Sequence, residues 1–408
     1  MNKLNHFSSQ CVVFLFMNKF MVFLFCLGYN SQGDKMKKIL IGLVLCLCMC
    51  GCEKKEDYVY LRKQFIGPFD TITTYITYAK SEEDFNKQCE YIEEQLNYYD
   101  HIFDKYNEYD GINNVYTINQ FAGKEAVKVD KALIDLVELC KERYHTISSK
   151  VNIAFGSVIS IWHDYRSEAE SNNGIGTIPS LDELNKANKH TDINKIIVDK
   201  DQQTIYIDDK ETSLDVGATA KGYAIELIKD QLIEMGVESF ILSGGGNVAS
   251  YGNRLVKSDG SDYIDGCDEH YCVGIESPQD GNYSHEPYDG NTYDEGILVV
   301  DNMSVVTSGD YQRFYEDING IKYHHLIDPD TLYPAVYFRS VSIVCEDSGL
   351  ADFLSSTLFL MEYEDGLELV NSLEGVEALW LLEDGKIRMS DGLKDNENVY
   401  IFDKDRLK

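Results

Sequence analysis

The sequence predicts an α+β fold, with mixed or antiparallel sheets against packed helices, in one domain of either a single body or two lobes. Three observations lead there. Apolar residues recur at helical spacing in two long stretches, β-rich runs are joined by short polar turns, and no proline-rich linker or internal repeat divides the chain. With 408 residues and 44% apolar content, the chain has enough material for one large core or two modest ones.

The first helix is expected after Ser81, where Phe85, Cys89, Ile92, Leu96, Tyr99 and Phe103 step by four and three residues behind a Ser81/Asp84 capping box. Leu133, Leu136, Cys140, Tyr144 and Ile147 mark a second core-facing helix. A hairpin follows, because 195–199 and 204–208 are β-rich and the turn Asp199-Lys200-Asp201-Gln202-Gln203 is polar. Next comes a helix with Ala220, Ala224, Leu227, Ile228, Leu232 and Met235 on one face and Gly236 as its stop. Phe240-Ile241-Leu242 then reads as a buried strand. Residues 257–295 turn polar and acidic, a surface excursion holding one short strand candidate over 271–275.

Charge excludes one class of partner. The chain carries 69 acidic against 37 basic side chains, a formal charge of −32, and such a surface repels nucleic acid. The N-terminus points to export. Met36-Lys37-Lys38 and the short apolar run that follows have the layout of a secretory signal over 36–51. That run ends Met49-Cys50-Gly51-Cys52, like a bacterial lipobox, so Cys52 is expected as the lipidated first residue, with 52–64 as a tether to the membrane. Residues 1–35 read as an extra or untranslated segment, since Gln32-Gly33-Asp34-Lys35 can be encoded by a ribosome-binding purine run before Met36. Of 11 cysteines, six fall in the first 52 residues, and the remainder show no disulfide framework. Cys267 and Cys272 flank His270, where a local disulfide, a metal clip and plain loop cysteines stay open.

Four segments carry residue types able to do chemistry, and each also has a structural explanation. Leu214-Asp215-Val216-Gly217-Ala218-Thr219-Ala220-Lys221-Gly222-Tyr223 joins a strand end to a helix start, where free amides and a lysine can hold phosphate or simply cap a helix. Ser243-Gly244-Gly245-Gly246-Asn247 allows close backbone approach to a ligand or a tight turn. His324-His325-Leu326-Ile327-Asp328-Pro329 offers an imidazole base with Asp328 near enough in sequence to orient a ring. In 348–359 a helix would put Asp352 and Ser356 on one face, a donor pair for Mg²⁺; alternatively Ser348 merely caps that helix.

Taken in order with Thr307-Ser308-Gly309-Asp310-Tyr311, these segments resemble the bacterial FAD:protein FMN transferase family, the ApbE-like lipoproteins, over roughly 65–361. The resemblance implies an ApbE-like fold for a domain over 65–408. It implies that Asp215 and Lys221 contact FAD, and that the Ala218 carbonyl, Asp352 carboxylate and Ser356 hydroxyl hold Mg²⁺, with Ser355 as a further contact. His325 would be the general base and Leu326 would touch the flavin nucleotide. Phe69-Asp70-Thr71, Tyr106, Asn119 and Lys150-Val151-Asn152 match more loosely, which puts Phe69, Tyr106, Lys150, Val151 and Asn152 at the nucleotide. Ala218, Asn247, Leu332 and Ser356 depart from the family pattern. Leu332 stands at a turn glycine and is expected to make that turn differently.

The reaction so implied is Mg²⁺-dependent transfer of FMN from FAD to a Thr or Ser hydroxyl of an acceptor protein, with AMP leaving. The implied partners are flavin-bearing electron-transfer proteins outside the cytoplasm that expose such a hydroxyl. Two rivals share the pocket: an FAD pyrophosphatase giving FMN and AMP, and a non-catalytic flavin-binding lipoprotein.

Overall fold

Phe240 and Leu242 leave the strand Phe240–Gly244 on one face and Ile241 on the other, and all are buried. Both faces of the sheet must therefore be covered. The computed structural model describes residues 58–255, 267, 269–278, 294–394, 396–401 and 404–407, and it shows the two covers. The sheet has eight strands in the order Val59–Ile66, Ile72–Ala79, Phe240–Gly244, Asn247–Tyr251, Ser304–Gly309, Phe338–Cys345, Glu377–Leu382 and Ile387–Met389. Every neighbouring pair is antiparallel.

On one face Tyr75, Phe240, Leu242 and Ala249 pack against the helices Glu82–Phe103, Lys131–Thr146 and Ala220–Glu234. Further along that face Val306, Val341, Ile343 and Trp380 meet the helix Ser348–Phe359. On the other, Ile241, Val305, Val344, Leu379 and Leu381 pack against a three-stranded sheet of Tyr271–Glu276, Asp294–Val300 and Val399–Ile401. The expected hairpin is present as Ile196–Asp199 and Thr204–Ile207. A separate hairpin, Phe314–Glu316 with Lys322–His324, lies on the helix Gly156–Glu170 through Tyr315 and Trp162.

The α+β class and antiparallel pairing are as the sequence predicts. Three local expectations are corrected. Val59–Ile66 is a strand fully paired with Ile72–Ala79, so ordered structure begins inside the stretch read as tether. The helix Ser348–Phe359 is capped by Asp347, whose side chain accepts from the Leu350 N–H, and not by Ser348. Cys267 and Cys272 form a disulfide with Cα atoms 5.7 Å apart, which removes the metal clip. Cys52, the signal 36–51 and segment 1–35 lie outside the described residues, as does most of the excursion 257–295. Among the described residues no helix is long and apolar enough to cross a membrane.

Candidate active site

Two helices that touch through glycine create one end of the site. A Cβ on Gly222 would collide with the Asp352 Cβ and come within 2.6 Å of the Ser348 carbonyl, so only glycine lets Ala220–Glu234 and Ser348–Phe359 approach this closely. The approach puts Asp352 at the N-terminus of the helix Ala220–Glu234. Its Oδ2 accepts the Gly222 N–H at 2.7 Å, one of the amides that a first helical turn leaves unpaired. Among the described residues Oδ1 has only the Lys221 ammonium at 4.0 Å. Burial raises the Asp352 pKa, against the opposing pull of Lys221 and the Gly222 amide. A buried carboxylate with one oxygen uncommitted has room for a cation.

The turn before that helix is held from several sides. Asn119 takes the Leu214 N–H on its Oδ1 and donates Nδ2 to the Leu214 carbonyl, and the Asp215 N–H donates to the Ile153 carbonyl. Asp215 Oδ1 accepts the Gly217 N–H at 2.9 Å, while Oδ2 pairs with Lys105 Nζ at 2.6 Å, both side chains being about nine-tenths buried. Burial by itself would raise the Asp215 pKa, but Lys105 and the Gly217 amide outweigh it and hold it below the usual carboxylate range. Ala218 is exposed at the apex of this turn. Lys105 Nζ lies 5.0 Å from the centre of the Tyr106 ring, and that ring is 4.8 Å from His163.

His325 lies at the end of the second hairpin, its N–H bonded to the Arg313 carbonyl at 3.1 Å. Its Nδ1 is buried without a hydrogen-bond partner. Burial, with His324, Arg313 and Arg166 nearby, pushes its pKa down to about 3, so the imidazole is neutral near pH 7. Asp328 does not orient it. That carboxylate bonds Lys150 Nζ at 2.8 Å and the Asp330 N–H, fixing the loop that follows.

A model of the ApbE family matches residues 69–380. The chain belongs to the ApbE family. Among curated relatives, the FAD:protein FMN transferase of Treponema pallidum is 30% identical and covers 69% of this chain and 74% of its own length. The protein of the same name from Klebsiella pneumoniae is 25% identical over 68% of this chain and 78% of its own. The ApbE protein of Thermotoga maritima superposes with a TM-score of 0.67 at 24% identity, covering 84% of this chain and 99% of its own. The apo form of the Pseudomonas stutzeri flavinyl transferase ApbE gives 0.65 at 18%, covering 83% and 96%. Both structures share the fold.

In this ApbE chain the expected metal donors differ in what they already bond. Asp352 and Ser356 lie one turn apart on the helix Ser348–Phe359, and Ser356 Oγ is 3.4 Å from the Ser308 hydroxyl. Ser355 is fully buried, donates to the Asp352 carbonyl at 3.0 Å and shares a 2.8 Å hydrogen bond with Ser308. No group of three His, Cys, Asp or Glu side chains able to hold a metal occurs among the described residues, so mixed oxygens are the available donors. A carboxylate, a hydroxyl and a carbonyl suit Mg²⁺, which keeps its other positions for water and phosphate.

The nucleotide expectations divide. Tyr106 is half exposed beside His163, in reach of a ligand. Phe69 takes a left-handed backbone (φ 57°) and donates its N–H to Asp100 at 2.8 Å, which shapes the entry loop. Lys150 is committed to Asp328 and Asp330, Asn152 bonds the Thr191 carbonyl and the Ala154 N–H, and Val151 and Leu326 are core side chains. These four side chains are engaged within the protein. Leu332 does not make its turn differently: it adopts φ 65°, the glycine conformation, with its side chain buried and its carbonyl accepting Trp162 Nε1 at 2.9 Å. That burial and hydrogen bond offset roughly 1 kcal/mol of left-handed strain. Lys105, Arg166, Arg313 and Ser308 were missed as individual residues; only Ser308 had a signal, in the motif around Thr307.

Proposed function

We propose that this chain transfers the FMN half of FAD to a Thr or Ser hydroxyl of an acceptor protein and releases AMP. The observation that carries this is the Asp352 carboxylate, buried, bonded through one oxygen to a helix N-terminus and uncommitted at the other beside Lys221. Asp352, Ser356 and the Ala218 carbonyl would hold Mg²⁺. Bound there, the metal would neutralise pyrophosphate charge and favour departure of AMP. Lys221 and the first-turn amides of Ala220–Glu234 add positive potential for the same diphosphate.

His325 supplies the base. As a neutral imidazole it takes the proton of the acceptor hydroxyl while that oxygen bonds to the FMN phosphorus and the bond to the AMP oxygen breaks. Tyr106 offers a ring face to the flavin side of the substrate. The Lys105–Asp215 pair holds the turn that presents Ala218.

Acceptor proteins of extracytoplasmic electron transfer fit this reading, together with a lipid anchor on Cys52 after cleavage of the signal. Replacement of Cys52 by Ala should release the chain from membranes; retention there would remove the anchor assignment. For the reaction, the full chain is incubated with FAD, Mg²⁺ and an FMN-binding acceptor domain, and the acceptor mass is measured. A gain equal to covalent FMN, abolished by EDTA, establishes transfer. Free FMN and AMP with unlabelled acceptor would mean water is the nucleophile, and intact FAD would mean a binding protein.

A further inference from the structure

The second hairpin carries an unused cationic cluster. Its register pairs Phe314 with His324 and Tyr315 with Tyr323, and the His325 N–H bonds the Arg313 carbonyl, so Arg313 stands opposite His325 one step beyond the ladder. Opposed residues of an antiparallel pair project to the same face, here the face of Tyr315 and Tyr323. The helix Gly156–Glu170 covers that face, with Trp162 stacked on Tyr323 at 5.8 Å. Arg166 follows Trp162 by one helical turn on the same side. Burial lowers the Arg166 pKa and Arg313 adds to it, and burial, His324 and both arginines lower that of His325.

Among the described residues neither arginine is matched by a carboxylate at hydrogen-bonding range. Arg166 has Glu170 at 3.7 Å and Arg313 has Asp70 at 4.0 Å, both beyond a hydrogen bond. Among the described residues no closer acid is supplied to either. His325, opposite Arg313 on the hairpin, has its Nδ1 buried and without a hydrogen-bond partner among the described residues. Guanidiniums gathered around a buried polar atom suit an anion with several oxygens, and phosphate meets that geometry best.

We propose that Arg166 and Arg313 form a phosphoryl-binding subsite beside His325 that grips the phosphate under attack in FAD. The proposal rests on the transferase reading and adds to it two residues that touch the reacting group. It also accounts for the base. A seated diphosphate counters the two guanidiniums, which together with burial and His324 hold the imidazole down, and so strengthens His325 as a base only when substrate is present.

The test uses the full chain with R166M, R313M, R166K and R313K, titrated with FAD and with riboflavin, which has no phosphate, alongside transfer measured by acceptor mass. Each methionine variant should weaken FAD binding about tenfold, leave riboflavin binding unchanged and lower kcat by about 100-fold, with partial recovery in the lysine variants. Equal weakening for FAD and riboflavin would overturn the proposal in favour of a structural role. Unchanged FAD binding and kcat with a raised acceptor KM would overturn it in favour of acceptor recognition. Where a methionine variant loses its cooperative thermal transition, the lysine variant carries the same comparison. A parent chain that binds FAD without labelling any acceptor defeats the transfer reading alone, since the FAD and riboflavin contrast still decides the arginines.

Discussion

At the Asp215–Asp352 end of the site the polar groups are largely satisfied by protein: Lys105 and Gly217 on Asp215, Gly222 on Asp352, Asn119 on both polar groups of Leu214. At the His325 end the imidazole Nδ1 has no partner and two arginines have carboxylates only at 3.7 and 4.0 Å. The turn around Asp215 is a finished scaffold, whereas Asp352 Oδ1 and the His325 end are left for a ligand. Substitutions around Asp215 should therefore read out mainly in stability, and those at Asp352 and at the His325 end mainly in turnover.

The largest stability effect should come from Lys105→Met, which leaves the Asp215 carboxylate buried and unpaired and costs about 3–5 kcal/mol in denaturant unfolding. Adding Asp215→Asn should return much of that loss. A cost near zero for the single change would break the scaffold description. His325→Ala should leave unfolding free energy near that of the parent at pH 7 while transfer falls about 10²- to 10⁴-fold and FAD affinity stays within a few-fold. Retained turnover would remove His325 as the base.

Gly222→Ala sharpens the boundary between the two ends. The methyl would meet Asp352 Cβ and the Ser348 carbonyl, forcing the helices apart at about 1–3 kcal/mol and displacing Asp352. Its transfer rate should fall with weaker dependence on Mg²⁺ concentration, which a metal titration measures. The smallest effect is pH-dependent. The folded His325 pKa of about 3 lies below the ordinary 6.5. Above 6.5 both folded and unfolded imidazoles are neutral and the residue costs nothing; as pH falls from 6.5 towards 3 the unfolded form gains a proton that the folded form refuses, and stability drops. His325→Ala should thus lose less thermal midpoint between pH 7 and 4.5 than the parent. An identical loss would show that the imidazole is not held neutral.

Much of the architecture could be read in advance because its causes are local. Ser81 caps the helix Glu82–Phe103, whose apolar residues fall at the predicted steps, and Gly236 ends Ala220–Glu234 with φ 81°. The single strand Phe240–Gly244 announced its burial through three adjacent apolar residues. The errors arose where one residue type serves two purposes. Ser348 looked like a cap, yet its hydroxyl donates to Asn247 at 2.7 Å while the neighbouring Asp347 does the capping. The resemblance puts Lys150 at the nucleotide, and two carboxylates of the loop after His325 pair with it.

The sequence by itself determined the α+β class, the acidic character of the chain, and the segments holding Asp215, Lys221, His325 and Asp352, because periodicity, charge and short motifs are properties of neighbouring residues. Tertiary structure alone decided which of those side chains remain open to a ligand. Lys105 meets Asp215 across 110 residues, Gly222 meets Asp352 across 130, and Arg166 comes to His325 only because a helix lies on a hairpin. Whether a buried charge is already paired depends on contacts across such distances, and a local pattern holds no record of them.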